Sequence, residues 1–152
     1  MSCTLKIADE TAMLALGGVL AALTEGRGVI YLHGNLGMGK TTLARGIIRA
    51  LGYQGAVKSP TFTLIEPYEI GRVRVFHFDL YRLLDAEELE FLGARDCFAD
   101  DALCLVEWPE RGEGVLPAPD LVITISPLQT GRDLRLCPAS TRGEAWCRAL
   151  AL

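Results

Sequence analysis

Met13, Leu16, Leu20 and Leu23 recur at intervals of three and four residues, the period that gathers side chains onto one face of a helix. Asp9 stands where it can cap that helix, and Gly26 stands where the helix is expected to end. The residues before Asp9 are read as running directly into it. The apolar run Val29-Ile30-Tyr31-Leu32, inside Gly28–His33, is rich in strand formers and too short for a helix, which predicts a buried strand. A second helix is expected from about Lys40, with Leu43, Ile47, Ile48 and Leu51 on its inner face and Gly52 as its stop.

From Thr61 to Asp79 the period changes to two around a turn near Gly71, with Phe62, Leu64 and Glu66 before it and Val73, Val75 and His77 after it. This pattern predicts an antiparallel hairpin. Asp85-Ala86-Glu87-Glu88 has capping-box spacing, so a short helix is expected to about Leu92, closed by Gly93. Leu103 to Glu107 reads as a buried strand that ends in a carboxylate, and Leu121–Ile125 and Leu134–Cys137 read as two late strands. The Gly/Pro-rich stretch from Arg111 to Pro119 reads as a surface loop, and Gly143 to Leu152 as a closing helix. Helices alternate with strands early, while later strands follow one another through short links. That order predicts an α/β fold, a three-layer sandwich with a mixed parallel/antiparallel sheet. At 152 residues one core is the economical solution, so residues 1–152 are expected to form a single domain.

Charge narrows the partners. The formal net charge is −4, which argues against an unaided grip on nucleic acid, since that binding rests on Lys and Arg neutralising phosphates. The five cysteines, Cys3, Cys97, Cys104, Cys137 and Cys147, form no C-x-x-C pair and no zinc spacing, so reduced, partly buried thiols are expected. The first residues lack the charged start and apolar run of a signal peptide, and apolar stretches break before membrane-spanning length. A cytoplasmic protein without membrane contact is expected.

Gly34-Asn35-Leu36-Gly37-Met38-Gly39-Lys40-Thr41 matches G-x-x-x-x-G-K-[ST], after an expected strand and at the start of an expected helix. A triphosphate needs several N–H donors aimed at one spot. Glycines allow a backbone to turn that tightly, and a helix N-terminus adds its partial positive charge. Lys40 supplies a mobile cation to the outer phosphates, and Thr41 a hydroxyl to Mg²⁺. The fold expectation sharpens to a P-loop NTPase-like sheet that binds ATP with Mg²⁺.

Hydrolysis also asks for a carboxylate near the metal and a group that orients water. Glu107, at the end of the most apolar strand, is assigned to the metal, directly or through water. Asp79, at the end of the hairpin strand, is assigned to water or to the metal's surroundings. The two assignments are interchangeable at this stage, and Asp79 also reads as a cap for the turn at Leu80-Tyr81-Arg82. Ser59 and Thr61, in Lys58-Ser59-Pro60-Thr61-Phe62-Thr63, stand where a loop can fold over the phosphates and reach Mg²⁺, although Ser-Pro-Thr is also ordinary turn chemistry. Trp108 reads as a stacking surface or as core, Arg132 as a nucleotide contact or a solvated turn residue, and His33 and His77 as satisfied structural histidines.

Four motifs in order resemble the bacterial TsaE (YjeE) ATPases over nearly the whole chain. They are the P-loop through Thr41 and Thr42, Lys58-Ser59-Pro60-Thr61-Phe62-Thr63-Leu64, His77-Phe78-Asp79-Leu80-Tyr81-Arg82-Leu83, and Val106-Glu107-Trp108-Pro109. The resemblance implies a part in threonylcarbamoyl modification of the adenosine beside the anticodon of tRNAs, with the subunits TsaB and TsaD. It implies that ATP hydrolysis drives or resets that complex; from the charge, tRNA is expected to be met only indirectly or through the complex, and the free protein is expected to be a monomer. It also implies that Thr41 and Glu107 lie around ATP and Mg²⁺, that Asp79 and Trp108 matter for activity, and that Glu10 or Thr11, and Arg132, touch the base. Asn35 and Met38 depart from the family's frequent residues at loop positions where the backbone matters more than the side chain.

Other P-loop classes fit less well. No guanine-reading N-K-x-D element is present, and a small metabolite kinase would need an acceptor pocket and an Arg-bearing lid. A non-catalytic assembly module, in which ATP merely orders the loop from Ser59 to Thr63, remains the reading of a different class.

Overall fold

The structure, a computed structural model, describes residues 2–151. Its strands are β1 (Cys3–Ile7), β2 (Gly28–His33), β3 (Ile65–Ile70), β4 (Val73–Asp79), β5 (Ala102–Glu107), β6 (Leu121–Pro127) and β7 (Arg132–Pro138). Its helices are α1 (Glu10–Thr24), α2 (Lys40–Ala50), α3 (Glu88–Phe91) and α4 (Thr141–Leu150). The strands form one sheet in the order β1-β7-β6-β2-β5-β4-β3. β6, β2, β5 and β4 are parallel neighbours, and antiparallel pairs with β7 and β3 extend the two sides. The mixed α/β sheet predicted from the element order is what forms.

Two cores fill the two faces. The larger gathers Leu16 and Leu20 of α1, Leu43, Ile47 and Ile48 of α2, and Trp146 of α4 against Ile30, Leu32, Leu103 and Leu105 of the central strands. Each fully buried Leu or Ile there contributes about 1.5–3 kcal/mol of transfer free energy. The smaller core packs Phe78, Leu80, Leu89, Cys97 and Val106 on the opposite face, beneath α3 and a 3-10 turn at Ala94–Cys97. The third layer is therefore thin. β5 is buried along its whole length, because both faces of this parallel strand are covered.

The chain departs from the sequence expectations at several places. Residues before Asp9 do not run directly into the helix but form β1, which pairs antiparallel with β7. Its burial alternates residue by residue, with Ile7 buried and Thr4 and Lys6 exposed, a period-two signal too short to stand out beside α1. The hairpin begins at Ile65 rather than Thr61, since Leu64 adopts φ +68° and closes a turn by donating its N–H to the Pro60 carbonyl. Phe62 consequently leaves the sheet and is 81% exposed. The helix expected from Asp85 shrinks to Glu88–Phe91, although its capping box is real: Glu88 accepts from the Asp85 N–H, and Asp85 accepts from the Glu87 N–H. The stretch read as a surface loop starts inside a 3-10 turn, Pro109–Gly112, with Gly112 buried. α4 starts two residues early because Ser140 caps it through the Gly143 N–H, while Leu152, placed in that helix from sequence, lies outside the described residues. The cysteines are free, with Cys97, Cys104 and Cys147 buried. Among the described residues no helix is long and apolar enough to cross a membrane.

Candidate functional site

The β2–α2 junction is shaped by its glycines. Gly37 and Gly39 take φ of +77° and +106°, a region that a side chain would strain, and so aim the loop from Gly34 back over the start of α2. The N-terminus of α2 is left open. Asp9 caps α1 and Ser140 caps α4 through side-chain oxygens, whereas Gly39, at the same position of α2, offers no side chain. The first N–H groups of α2 lack intrahelical partners and face the loop with the positive end of the helix dipole.

Three side chains converge on this end. Lys40 is only 4% exposed and donates through Nζ to the Gly34 carbonyl, with the same Nζ 3.8 Å above the centre of the Trp108 ring. Burial pulls its pKa down, against the upward pull of Glu107, Asp79 and Glu110. The Thr41 hydroxyl lies 3.1 and 3.0 Å from the two carboxylate oxygens of Glu107. A hydroxyl and a carboxylate this close form a hard-oxygen pair suited to Mg²⁺, which takes few protein ligands and keeps waters and phosphate oxygens.

The sheet brings the carboxylates together. β4 and β5 run parallel with Asp79 in register with Glu107, so both emerge at the carboxyl edge where ligands of open α/β sheets bind. Asp79 Oδ1 accepts from the Tyr81 N–H at 3.1 Å, which realises the turn-capping role read from sequence without removing the residue from the site. Its pKa is raised, first by burial and then by Glu107, against the Tyr81 amide, His77 and Lys40. Trp108 turns the chain sharply at φ +57°, and its ring meets Tyr81 at 4.9 Å.

Two adjoining hollows share the loop Gly37–Gly39 and Thr42. One, of about 300 Å³, is lined by Leu36, Lys40, Thr41, Ser59, Thr61, Asp79, Glu107 and Trp108. The other, of about 290 Å³, is lined by Ala8, Asp9, Glu10, Met13, Met38, Gly131 and Arg132 on the far side of the loop. Gly34 and Asn35 do not line either, and exposed Thr11 is outside the second, where its neighbour Glu10 forms part of the wall. Arg132 reaches this wall by donating to the carbonyls of Met38 and Gly37, at 3.3 and 3.5 Å, and so ties β7 to the loop. Ser59 and Thr61 bond each other through their hydroxyls at 2.8 Å.

His33 Nδ1 lies 3.7 Å from the Glu110 carboxylate, with both side chains partly exposed. His77 is different from the satisfied histidine read from sequence. It is fully buried, its Nε2 lies 2.6 Å from Glu107 Oε2, and among the described residues its Nδ1 has no partner. A polar residue two places before Asp79, at an inward position of a buried strand, was the available signal. The walls of the second hollow at Ala8, Asp9 and Met13 left no such signal, because β1 was not foreseen.

A glycine-rich turn between a parallel strand and an uncapped helix, with a buried lysine and two strand-end carboxylates, defines a P-loop nucleotide-binding α/β protein. The sequence model for the family described as threonylcarbamoyl adenosine biosynthesis protein TsaE matches residues 7–134, and the chain belongs to that family. It is 46% identical over 148 residues to the tRNA threonylcarbamoyladenosine biosynthesis protein TsaE of Haemophilus influenzae, covering 94% of each chain. Similarity to the proteins of the same name is 37% over 131 residues in Treponema pallidum, covering 86% of this chain and 95% of that one, and 36% over 138 residues in Bacillus subtilis, covering 90% and 86%. Among solved structures, Bacillus subtilis YdiB superposes with a TM-score of 0.82 at 28% identity, covering 99% of this chain and 95% of that one.

Proposed function

We propose that this chain is a Mg²⁺-dependent ATPase serving the threonylcarbamoyl modification of tRNA, as the names of its relatives suggest, and that it works on a complex of TsaB and TsaD. The observation that carries the reading is the open N-terminus of α2 facing a hollow that also holds Lys40, Thr41, Asp79 and Glu107. The triphosphate tail lies along Gly34–Thr42, where backbone N–H groups and Lys40 neutralise its charge. The base and ribose occupy the neighbouring hollow between Glu10 and Arg132. Thr41 and Glu107 hold Mg²⁺, with Thr61 or Ser59 completing the set from the facing loop. When bound, the ion screens the phosphate charge that builds up as the terminal phosphoryl group leaves.

Asp79 acts on the water. Its Oδ1 is committed to the Tyr81 amide, which leaves Oδ2 to orient an attacking water, and its raised pKa suits a group that receives a proton. Trp108 flanks the phosphates and helps to exclude bulk water from them. The 152 residues act as one cytoplasmic P-loop domain, monomeric until it meets its partners, and tRNA is met only through the complex.

A second reading, an assembly module that binds ATP without turning it over, is favoured by the exposure of Phe62 beside Thr61, since a nucleotide-sensed loop that displays an aromatic ring offers a docking handle. ATP hydrolysis measured with and without TsaB and TsaD, paired with pull-downs in ATP and in ADP, separates the two. Stimulated turnover is the expected result. Nucleotide-sensitive binding with no turnover selects the assembly module, and the absence of both removes the proposal.

A further inference from the structure

We infer that His77 is the positioning residue that fixes the Glu107 carboxylate for the metal, an inference that rests on the Mg²⁺ site proposed above. Along β4, Val75, His77 and Asp79 alternate onto the sheet face that carries α1 and α2, and the register sets His77 opposite Leu105 and Asp79 opposite Glu107. On the β5 side and along its own strand its neighbours Val75, Leu103 and Leu105 are apolar and completely buried, while across β3 its register partner is the half-buried Glu66. A histidine there is costly, because among the described residues its Nδ1 finds no hydrogen-bond partner.

What it gains is a single contact. A carboxylate oxygen only accepts, so the proton sits on Nε2 and is donated to Glu107 Oε2 at 2.6 Å. Glu107 is itself 3% exposed, and the only protein groups that bond its carboxylate, among the described residues, are Thr41 Oγ1 and His77 Nε2. Thr41 touches both oxygens about equally and so does not distinguish one from the other. The donor from His77 engages only Oε2, and it comes from the interior of the sheet. This hold opposes rotation of the carboxylate and leaves Oε1, within 3.1 Å of the Thr41 hydroxyl, without a donor from His77. Outer partners that orient a metal-binding carboxylate in this way commonly change metal affinity by 10–100-fold.

The test compares three variants, each checked for a native circular dichroism spectrum. His77→Gln keeps an N–H donor at nearly the same reach as Nε2. His77→Asn keeps the amide but withdraws it, and His77→Leu removes the donor while keeping the site filled. Binding of a fluorescent, non-hydrolysable ATP analogue is followed in EDTA and across a Mg²⁺ titration, with Mn²⁺ bound in the ternary complex followed by electron paramagnetic resonance. Affinity in EDTA is expected to stay at the wild-type level in every variant. The Mg²⁺ concentration for half-effect is expected to rise about tenfold or more in His77→Leu and His77→Asn, and to recover in His77→Gln. A wild-type Mg²⁺ response in His77→Leu or His77→Asn overturns the inference, and so does a loss in His77→Gln equal to theirs. If His77→Leu does not fold, the Gln and Asn variants decide the matter between them. Failure of the wild-type protein to bind the analogue at all would instead count against the proposed function.

Discussion

Asp79 and Glu107 are register partners at the carboxyl ends of adjacent parallel strands, yet their surroundings differ. Glu107 is gripped by Thr41 and His77, whereas Asp79 gives one oxygen to a backbone amide and has its pKa raised by burial. Under the proposed function the two substitutions should separate. Asp79→Asn is expected to keep nucleotide and Mg²⁺ binding while hydrolysis falls by about 10²-fold or more. Glu107→Gln should raise the Mg²⁺ concentration that binding needs and lower turnover as well. Calorimetry with and without Mg²⁺, beside single-turnover hydrolysis, checks both. Full hydrolysis by Asp79→Asn ends its role, and a reversed pattern exchanges the assignments.

The stacking of Lys40 on Trp108 supplies an optical report. With Nζ 3.8 Å from the ring centre and bonded to the Gly34 carbonyl, the ammonium must leave both when a phosphate competes for it. Nucleotide binding is then expected to change tryptophan emission through Trp108. The other tryptophan, Trp146, lies on the buried face of α4, and it lines neither hollow. Titration with Mg·ATP should give a full signal in Trp146→Phe and none in Trp108→Phe. A signal that follows Trp146 refutes the assignment.

Much of this site was legible because its local chemistry and its position coincide. The glycines and Lys40 fall between a buried strand and an amphipathic helix, and Glu107 ends the most apolar run, so pattern and chemistry pointed to one edge. The hidden parts depend on register and on contacts distant in sequence. Only the β4–β5 pairing reveals that His77 reaches Glu107, thirty residues away, instead of finding an ordinary core partner. β1 was masked because its five residues gain their hydrogen bonds from β7, at the other end of the chain. Thr61 and Phe62 continued an alternation that Leu64 breaks by its left-handed turn, a backbone choice that leucine does not advertise.

Tyr31 should mark the alkaline limit of stability. Its hydroxyl donates to the Pro117 carbonyl, and burial pushes its pKa up from 10.0 to about 12. Between these values the unfolded chain releases the proton and the native one keeps it. The stabilisation is complete below about pH 10 and is lost as pH rises toward 12. The advantage of wild type over Tyr31→Phe in urea unfolding is expected to shrink across this window, and the tyrosinate absorbance step near pH 12 should diminish in the variant. A constant difference from pH 9 to 12 contradicts the shift.

The neighbours Gly17 and Gly18 on α1 should respond to alanine in opposite directions. A Cβ on Gly17 would lie 2.7 Å from the Gly46 carbonyl carbon of α2, backbone against backbone, with no flexible side chain to yield. A Cβ on Gly18 meets only the Ala50 Cβ, at 4.0 Å. Both changes gain about 0.5–1 kcal/mol of helix propensity. For Gly17→Ala that gain is opposed by overpacking of about 1–3 kcal/mol, since α1 and α2 must part. Gly18→Ala is thus expected to raise Tm by about 2–4 °C, and Gly17→Ala to lower it by a similar or larger amount. Because α2 carries Lys40 and Thr41 at its first turn, Gly17→Ala should also weaken nucleotide binding while Gly18→Ala leaves it intact. Thermal melts and fluorescent-nucleotide titrations of the two variants decide this, and equal shifts of Tm in one direction would show that the contact between the helices does not set their spacing.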